Sequence, residues 1–143
     1  MKEAIGNTFL MSLATVFLFV IMGLLVSALV YSKAYKAKNK IVSVIEKYNG
    51  FTDDAKGEVE DDLFKMGYKT NTTNRSCSKI ENATLVHDSA RGKYDYCVYQ
   101  ITSSRGEYYK VITYTHLDLP IIGQYLTFEV KGDSRTVYKN LEG

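Results

Sequence analysis

An uncharged run near the N-terminus constrains this chain more than any other feature. No Asp, Glu, Lys or Arg occurs over residues 4–32, where Leu, Val, Phe, Ile and Met predominate. About 20 helical residues cross the hydrocarbon core of a bilayer, so the run is long enough for one tilted transmembrane helix. We therefore predict a single-pass membrane protein, with a transmembrane helix over residues 7–32 and a soluble domain over residues 33–143.

The same run has an alternative interpretation as a secretory signal peptide. Val26-Ser27-Ala28 is a small-residue pattern that a signal peptidase could cut. However, the apolar region of a signal peptide is usually about 7–15 residues long. This run is longer and has no proline before Lys33, which favours an anchor that stays attached.

The helical pattern continues into a lysine-rich segment, "SKAYKAKNKIVSVIEKYNG". Its apolar residues recur at helical spacing and lysines occupy the opposite face, which predicts an amphipathic helix continuous with the transmembrane helix. Asn49-Gly50 provides the C-terminal stop. The apolar positions are Ala34, Ala37, Ile41, Val44, Ile45 and Tyr48.

A second, shorter helix is predicted in "FTDDAKGEVEDDLFKMG". Thr52 or Asp53 is its N-cap, acidic residues occupy its first turn, and Gly67 ends it. The acidic run within it is interpreted as a solvated helix face, because it lacks the oxygen-rich loop of a calcium site.

The remaining segments are rich in β-forming residues. "KYDYCVYQITS" and "EYYKVITYTHL" predict a hairpin, and "QYLTFEVKG" alternates cleanly after a connection at Pro120. A last strand is predicted from Arg135 to Tyr138. The many tyrosines in these runs are interpreted as sheet packing, with a protein-contact surface as the alternative. We predict an α+β fold with three or four antiparallel strands packed on the amphipathic helix.

The chain has two cysteines, Cys77 and Cys97. The pair is compatible with one disulfide, which would place the domain in an oxidising compartment. Two free cytosolic thiols are an equally simple interpretation. A disulfide would close a loop of about 20 residues and contribute roughly 3 kcal/mol of stability.

The lysines near the apolar run indicate the opposite sidedness. Only Lys2 precedes the run, whereas four lysines closely follow it. By the positive-inside rule, this distribution alone places the domain in the cytoplasm. The four are Lys33, Lys36, Lys38 and Lys40.

The sequence contains no catalytic or nucleic-acid-binding motif. His87 and His116 are its only histidines, and together with the cysteines they are spaced too widely for a typical zinc site. His116, close to Asp118, is interpreted as a solvated residue at a strand end. We expect no metal, no cofactor, no enzyme activity and no nucleic-acid partner.

Two pairs of small residues within the apolar run are spaced four apart, Gly23 with Ser27 and Ala28 with Ser32. This spacing lets two transmembrane helices approach closely. The four residues are therefore candidates for helix packing in the membrane, where lipid is the other partner of the helix.

The order of segments resembles that of bacterial type IV pilin-like proteins. A short polar leader ending in glycine, "MKEAIG", precedes a long apolar helix, its amphipathic extension, a second helix and a small antiparallel sheet. In layout the chain is most similar to the minor pilin-like proteins of Tad-type pili in Gram-positive bacteria. "YSKAYKAKNKIVSVIEKYNG" and "LPIIGQYLTFEVKGDSRTVY" carry most of this resemblance, which covers nearly the whole chain.

The resemblance implies a structural subunit of the cell membrane, whose helix packs with other pilin-like subunits or pilus assembly proteins and whose domain lies outside the cytoplasm. It also implies a leader over residues 1–6, removed by cleavage after Gly6 to leave Asn7 first. Family members usually have a glutamate at the fifth mature position, where this chain has Met11. The alternative is a membrane-anchored, extracytoplasmic binding or assembly-accessory domain that does not enter a filament.

Overall fold

One long helix dominates the architecture. The computed structural model describes residues 1–68, 74–118 and 125–137. The elements are α1 (Lys2–Lys47), α2 (Asp53–Lys65), β1 (Ala83–His87), β2 (Tyr96–Ser103), β3 (Gly106–Asp118) and β4 (Tyr125–Asp133), with a short 3-10 turn, Ser89–Arg91, after β1. The four strands form one antiparallel sheet in the order β1-β2-β3-β4. The predicted α+β layout, with the sheet packed on the first helix, is confirmed.

Helix α1 runs for 46 residues without a break, which corresponds to about 69 Å. It begins at Lys2, so residues 2–6 are helical as well. At its other end Asn49 and Gly50 adopt φ values of 51° and 152°, and the Gly50 N–H donates to the carbonyl oxygen of Ile45 at 2.9 Å. The predicted stop at Asn49-Gly50 is confirmed.

Helix α2 begins and packs as its sequence predicts. The Thr52 hydroxyl accepts a hydrogen bond from the Ala55 N–H at 3.2 Å, which identifies Thr52 as the N-cap. Ala55, Val59 and Leu63 are buried in the core that α2 shares with α1. On the solvent side, the Glu58 carboxylate lies 2.7 Å from Lys47 Nζ.

One face of the sheet packs on α1 and α2. Strand β3 packs against α1, and the Thr113 hydroxyl donates to the backbone oxygen of Ala34 at 3.1 Å. Such close approach requires a small residue on the helix at this point. The core on this face consists of Ala37, Ile41, Val44, Ile45, Ala55, Val59, Leu63, Tyr94, Tyr96, Val98, Tyr109 and Val111.

The opposite face of the sheet has a smaller core. Cys77, Cys97, Tyr99, Ile112 and Tyr114 are buried together there, with Ile80 and Ala83 packed against them. Because successive strand residues point to opposite faces, the tyrosines of β2 and β3 serve both cores. Tyr94, Tyr96, Tyr99, Tyr109 and Tyr114 are each at most 8% exposed, which confirms the packing interpretation for these five.

Strand β1 was not predicted from the sequence. It pairs with β2 at one edge of the sheet, and its middle residues, Thr84, Leu85 and Val86, are all exposed. An edge strand with exposed residues in succession lacks the alternation of buried and exposed positions that marks a half-buried strand.

The predicted last strand, Arg135 to Tyr138, is wrong in its described part. After β4 the Arg135 N–H donates to a carboxylate oxygen of Glu46 at 2.8 Å, so the chain turns toward the end of α1. Val137 then forms only an isolated bridge with Glu107. Tyr138 and the connection at Pro120 lie outside the described residues.

Candidate functional site

The first half of α1 is an exposed apolar surface. It is long and apolar enough to cross a membrane, and none of its most apolar window is buried inside the protein. A signal sequence or the core helix of a soluble protein can have the same length and composition, but a core helix would be covered by its own chain. Exposed residues include Phe9, Phe17, Leu18, Phe19, Leu24 and Leu29, each more than 60% exposed.

Three hydroxyl groups in this half are satisfied by the helix itself. Thr8, Thr15 and Ser27 each donate to the carbonyl oxygen four residues earlier, at 2.9, 2.8 and 2.8 Å. A hydroxyl in hydrocarbon has no water to bond, so an internal acceptor is required there. These side chains are therefore compatible with a lipid environment.

A narrow stripe joins the two halves of α1. Gly23, Ser27 and Val30 are half-buried between exposed neighbours, and Ala34 and Ala37 are fully buried against the domain. The spacing of four and three residues keeps all five positions on one side of the helix. The predicted packing residues Gly23 and Ser27 thus lie on the side of α1 that faces the sheet.

The other predicted pair, Ala28 and Ser32, lies on a different side. Both residues are exposed. At 100° per residue they point about 120–160° away from Ala34. The structure therefore separates the four candidate packing residues into a domain-facing pair and a pair that faces away from the domain. On the side that faces away, a second helix would meet no obstacle from the sheet.

The predicted cleavage position lies within α1. Gly6 is helical and exposed, and a Cβ built on it meets no atom within 4 Å. Met11 is 69% exposed, so this thioether side chain occupies the surface position where the family resemblance expects a carboxylate.

Cys77 and Cys97 are joined by a disulfide, with their Cα atoms 6.0 Å apart. The bond fixes the segment before β1 over the outer face of β2. The Cys77 N–H donates to a carboxylate oxygen of Asp88 at 3.0 Å, and the Ser89 N–H points at Cys77 Sγ at 3.2 Å. Of the two interpretations that the sequence left open, the structure has the disulfide.

A polar cluster near the disulfide was not anticipated. Asp95 is 3% exposed, and its two carboxylate oxygens contact the Ser89 hydroxyl at 2.5 Å and His116 Nε2 at 2.7 Å. His116 Nδ1 lies 3.1 Å from the hydroxyl of Thr127, to which Arg75 donates at 3.2 Å. The cluster connects the segment before β1 and the 3-10 turn to β3 and β4.

This cluster corrects the interpretation of His116 as a solvated strand-end residue. Its side chain is only 12% exposed because Asp95, beside the start of β2, reaches it. In a catalytic triad the histidine lies between the serine and the carboxylate. Here the carboxyl group of Asp95 lies between Ser89 and His116, which is an arrangement that provides both oxygens of a buried carboxyl group with hydrogen-bond partners. The sequence does contain one signal for this cluster, because Asp95 is an acidic residue inside the β-rich run "KYDYCVYQ".

His87 lies in a second environment, at the end of β1. Its ring stacks on Tyr96 with centroids 4.4 Å apart and an interplanar angle of 15°. Burial, assisted by the Lys56 ammonium, lowers the pKa of His87 to about 4. A shallow depression of about 320 Å³ beside it is lined by Lys56, Leu85, Val86, His87, Asp88 and Arg91. Across residues 1–68, 74–118 and 125–137, no group of three potential ligands could hold a metal ion.

Comparison with protein-family models, with curated proteins and with solved structures gave no match for this chain. The pilin-like resemblance therefore stays a prediction from the order of the segments. Among the described features, the exposed apolar half of α1 is the best candidate for the surface through which the protein functions.

Proposed function

We propose that this chain is a single-pass, membrane-anchored structural subunit of pilin-like type. The observation that supports this proposal best is the division of α1 into an exposed apolar half and a half built into the domain. The two halves belong to one continuous helix. Contacts between the apolar half and other membrane helices would therefore also determine where the domain lies. Its partners would be lipid and the helices of other pilin-like subunits or assembly proteins.

We further propose that the domain lies on the extracytoplasmic side. The Cys77–Cys97 disulfide supports this side, because disulfides persist in oxidising compartments. The lysine count supports the opposite side, but Lys40 lies 3.3 Å from a carboxylate oxygen of Asp62 and forms an ion pair within the domain. The disulfide is therefore the stronger argument.

The mature N-terminus tests the pilin-like proposal. Mass spectrometry of the protein purified from its native membrane should give a chain that starts at Asn7. An intact Met1 would reject pilin processing and leave a plain anchor. A start near Leu29 would mean a secreted domain without its membrane helix.

Labelling of thiols tests the sidedness. A membrane-impermeant maleimide applied to intact cells should leave Cys77 and Cys97 unmodified, and should modify Cys77, the more accessible of the two, after an impermeant reductant is added. Both described cysteines are in the disulfide, so no other thiol contributes. Labelling that requires cell lysis would place the domain in the cytoplasm.

Crosslinking tests the proposed helix contact. Ala28→Cys places a thiol on the side of α1 that faces away from the domain, and Val30→Cys places one on the domain-facing stripe two residues away. In native membranes, oxidation should crosslink the first variant to itself or to another membrane polypeptide and leave the second largely monomeric. Equal crosslinking of the two variants would contradict a specific packing side.

Met11 favours the second candidate function, an anchored binding or assembly-accessory domain outside a filament. The proposal of a filament subunit expects a carboxylate at this position, whereas Met11 is an exposed apolar residue suited to lipid. A protein that is processed at Gly6 but absent from purified filaments would support this candidate over the first.

A further inference from the structure

The end of the sheet beside α1 carries two exposed apolar side chains. Leu126 and Phe128 of β4 are 43% and 44% exposed. Because side chains alternate along a strand, they share the helix-facing side with Val130, which is buried. The apolar side of β4 therefore continues beyond the buried core as an exposed surface.

The register between sheet and helix places this end next to the apolar half of α1. Thr113, paired with Val130, contacts Ala34, and Gly132 lies against the Lys38 side chain. Strand β4 and helix α1 thus run in the same direction, with two strand residues, about 7 Å, matching about four helical residues. By the same spacing, Phe128 lies level with about residue 30 of α1 and Leu126 with about residue 26.

The uncharged part of α1 is longer than a hydrocarbon core requires. Residues 4–32 span roughly 43 Å as a helix, whereas the hydrocarbon core of a bilayer is about 30 Å thick and the whole bilayer about 40–45 Å. When residue 4 lies at one surface of the bilayer, the residues just before 32 lie in the headgroup layer of the opposite surface. Leu126 and Phe128 lie at that depth.

Side chains on α1 mark the same level independently. Tyr31 and Tyr35 are about half exposed, and tyrosine is enriched at membrane–water interfaces. Lys33 and Lys36 are exposed within the same two turns, where an ammonium group meets lipid phosphates. Apolar side chains toward the bilayer centre and cations toward the domain form the arrangement that an interfacial protein surface presents to phospholipid.

We propose that Leu126 and Phe128 insert into the headgroup layer of the bilayer that α1 spans. The domain is then held against the lipid surface at two places, by α1 and by the end of β4. This inference rests on the proposed membrane anchor, and phospholipid is the one partner to which it commits.

Quenching of a fluorophore by lipid tests the inference. Full-length protein carrying Phe128→Cys is labelled with an environment-sensitive fluorophore and reconstituted in vesicles of phosphatidylcholine and phosphatidylglycerol. The matched controls are Ser104→Cys, at the distal hairpin, and Leu18→Cys, in the apolar half of α1. Mass spectrometry verifies that the native disulfide is intact in each variant.

The label at residue 128 should lose most of its emission to lipids with a nitroxide near the headgroup, and the label at residue 104 should lose none. An unquenched label at 128 beside a quenched label at 18 would overturn the inference and leave the anchor in place. A label at 18 that no lipid nitroxide quenches would instead overturn the anchor. Blue-shifted emission at 128 without lipid quenching would mean that protein covers the site, which also overturns the inference.

A second pair of variants separates insertion from a general loss of fold. With the fluorophore at Leu126→Cys, the added change Phe128→Ser should reduce quenching, because it removes the neighbouring apolar contact with lipid. Phe64→Ser is the matched control, since Phe64 is 69% exposed on α2, farther from the membrane. Equal quenching in the two variants would count against insertion.

Discussion

The two halves of α1 are the same secondary structure in different surroundings. In residues 4–32 apolar side chains cover the helix all round and nearly all are exposed, whereas the second half has one buried stripe and a lysine-rich opposite side. A helix that is apolar all round requires an apolar solvent, and one with a single stripe requires one partner. The distribution of side chains thus marks where the proposed membrane-spanning part of α1 ends and the domain begins.

The largest difference between the halves should appear in the free energy of unfolding of the domain. Ile41 is fully buried, so Ile41→Ala should lower this free energy by about 2–5 kcal/mol. Leu18→Ala, the matched change in the exposed half, should alter it by less than about 0.5 kcal/mol. Denaturant titration in detergent micelles measures both. Equal losses would mean that the domain depends on the first half of the helix.

The disulfide extends the comparison to the two faces of the sheet. The outer core is covered by a segment that the bond holds in place, so reduction should lower the free energy of unfolding by about 3 kcal/mol, as expected for a loop of this length. A double variant, Cys77→Ser with Cys97→Ser, should show the loss already and should not respond to a reductant. A reductant-sensitive double variant would assign the effect to something other than this bond.

A change of pH should act on the domain alone, because residues 4–32 contain no charged residue. The pKa of His87 falls from its ordinary 6.5 to about 4 on folding. The folded state therefore disfavours the charged imidazole, so this contribution to stability is complete above about pH 6.5 and is lost as pH falls toward 4. His87→Gln should flatten the fall in unfolding midpoint across this range. An unchanged pH profile would contradict the buried, neutral state of His87.

The smallest effect on the domain is expected from Ala28→Leu. Ala28 lies on the side of α1 that faces away from the domain. The midpoint of denaturant unfolding in micelles should therefore equal that of the unmodified protein within error. Lateral crosslinking through a thiol at Ser32→Cys should nevertheless decrease, because the larger side chain prevents close helix approach. A destabilised domain would show that this side of α1 contacts the sheet.

Much of the fold was predictable because its signals are local. The charge-free run, the Asn49-Gly50 stop and the Thr52 cap each determine structure within a few residues. The alternation in β4 likewise identifies its two faces. Even the separation of Gly23 and Ser27 from Ala28 and Ser32 follows from the helical angle, once Ala34 is known to face the domain.

The missed features depend on contacts between distant segments. The partner of His116 is Asp95, which lies 21 residues earlier in the sequence. Strand β1 exists because β2 offers it an edge, and its own residues carry no alternation. The exposure of Phe128 depends on which distant segments cover that end of β4, and no local pattern in the strand shows this.

The reactivity of single cysteines along α1 tests the division of the helix most directly. In native membranes, thiols at Phe17, Leu18 and Phe19 should all resist an impermeant maleimide, because lipid surrounds this part on every side. Beyond residue 32 reactivity should follow the helical period, with Tyr35→Cys and Lys36→Cys labelled and Ala34→Cys and Ala37→Cys protected. Ready labelling at Phe17, Leu18 or Phe19, or reactivity without a period beyond residue 32, would contradict a helix shared between bilayer and domain.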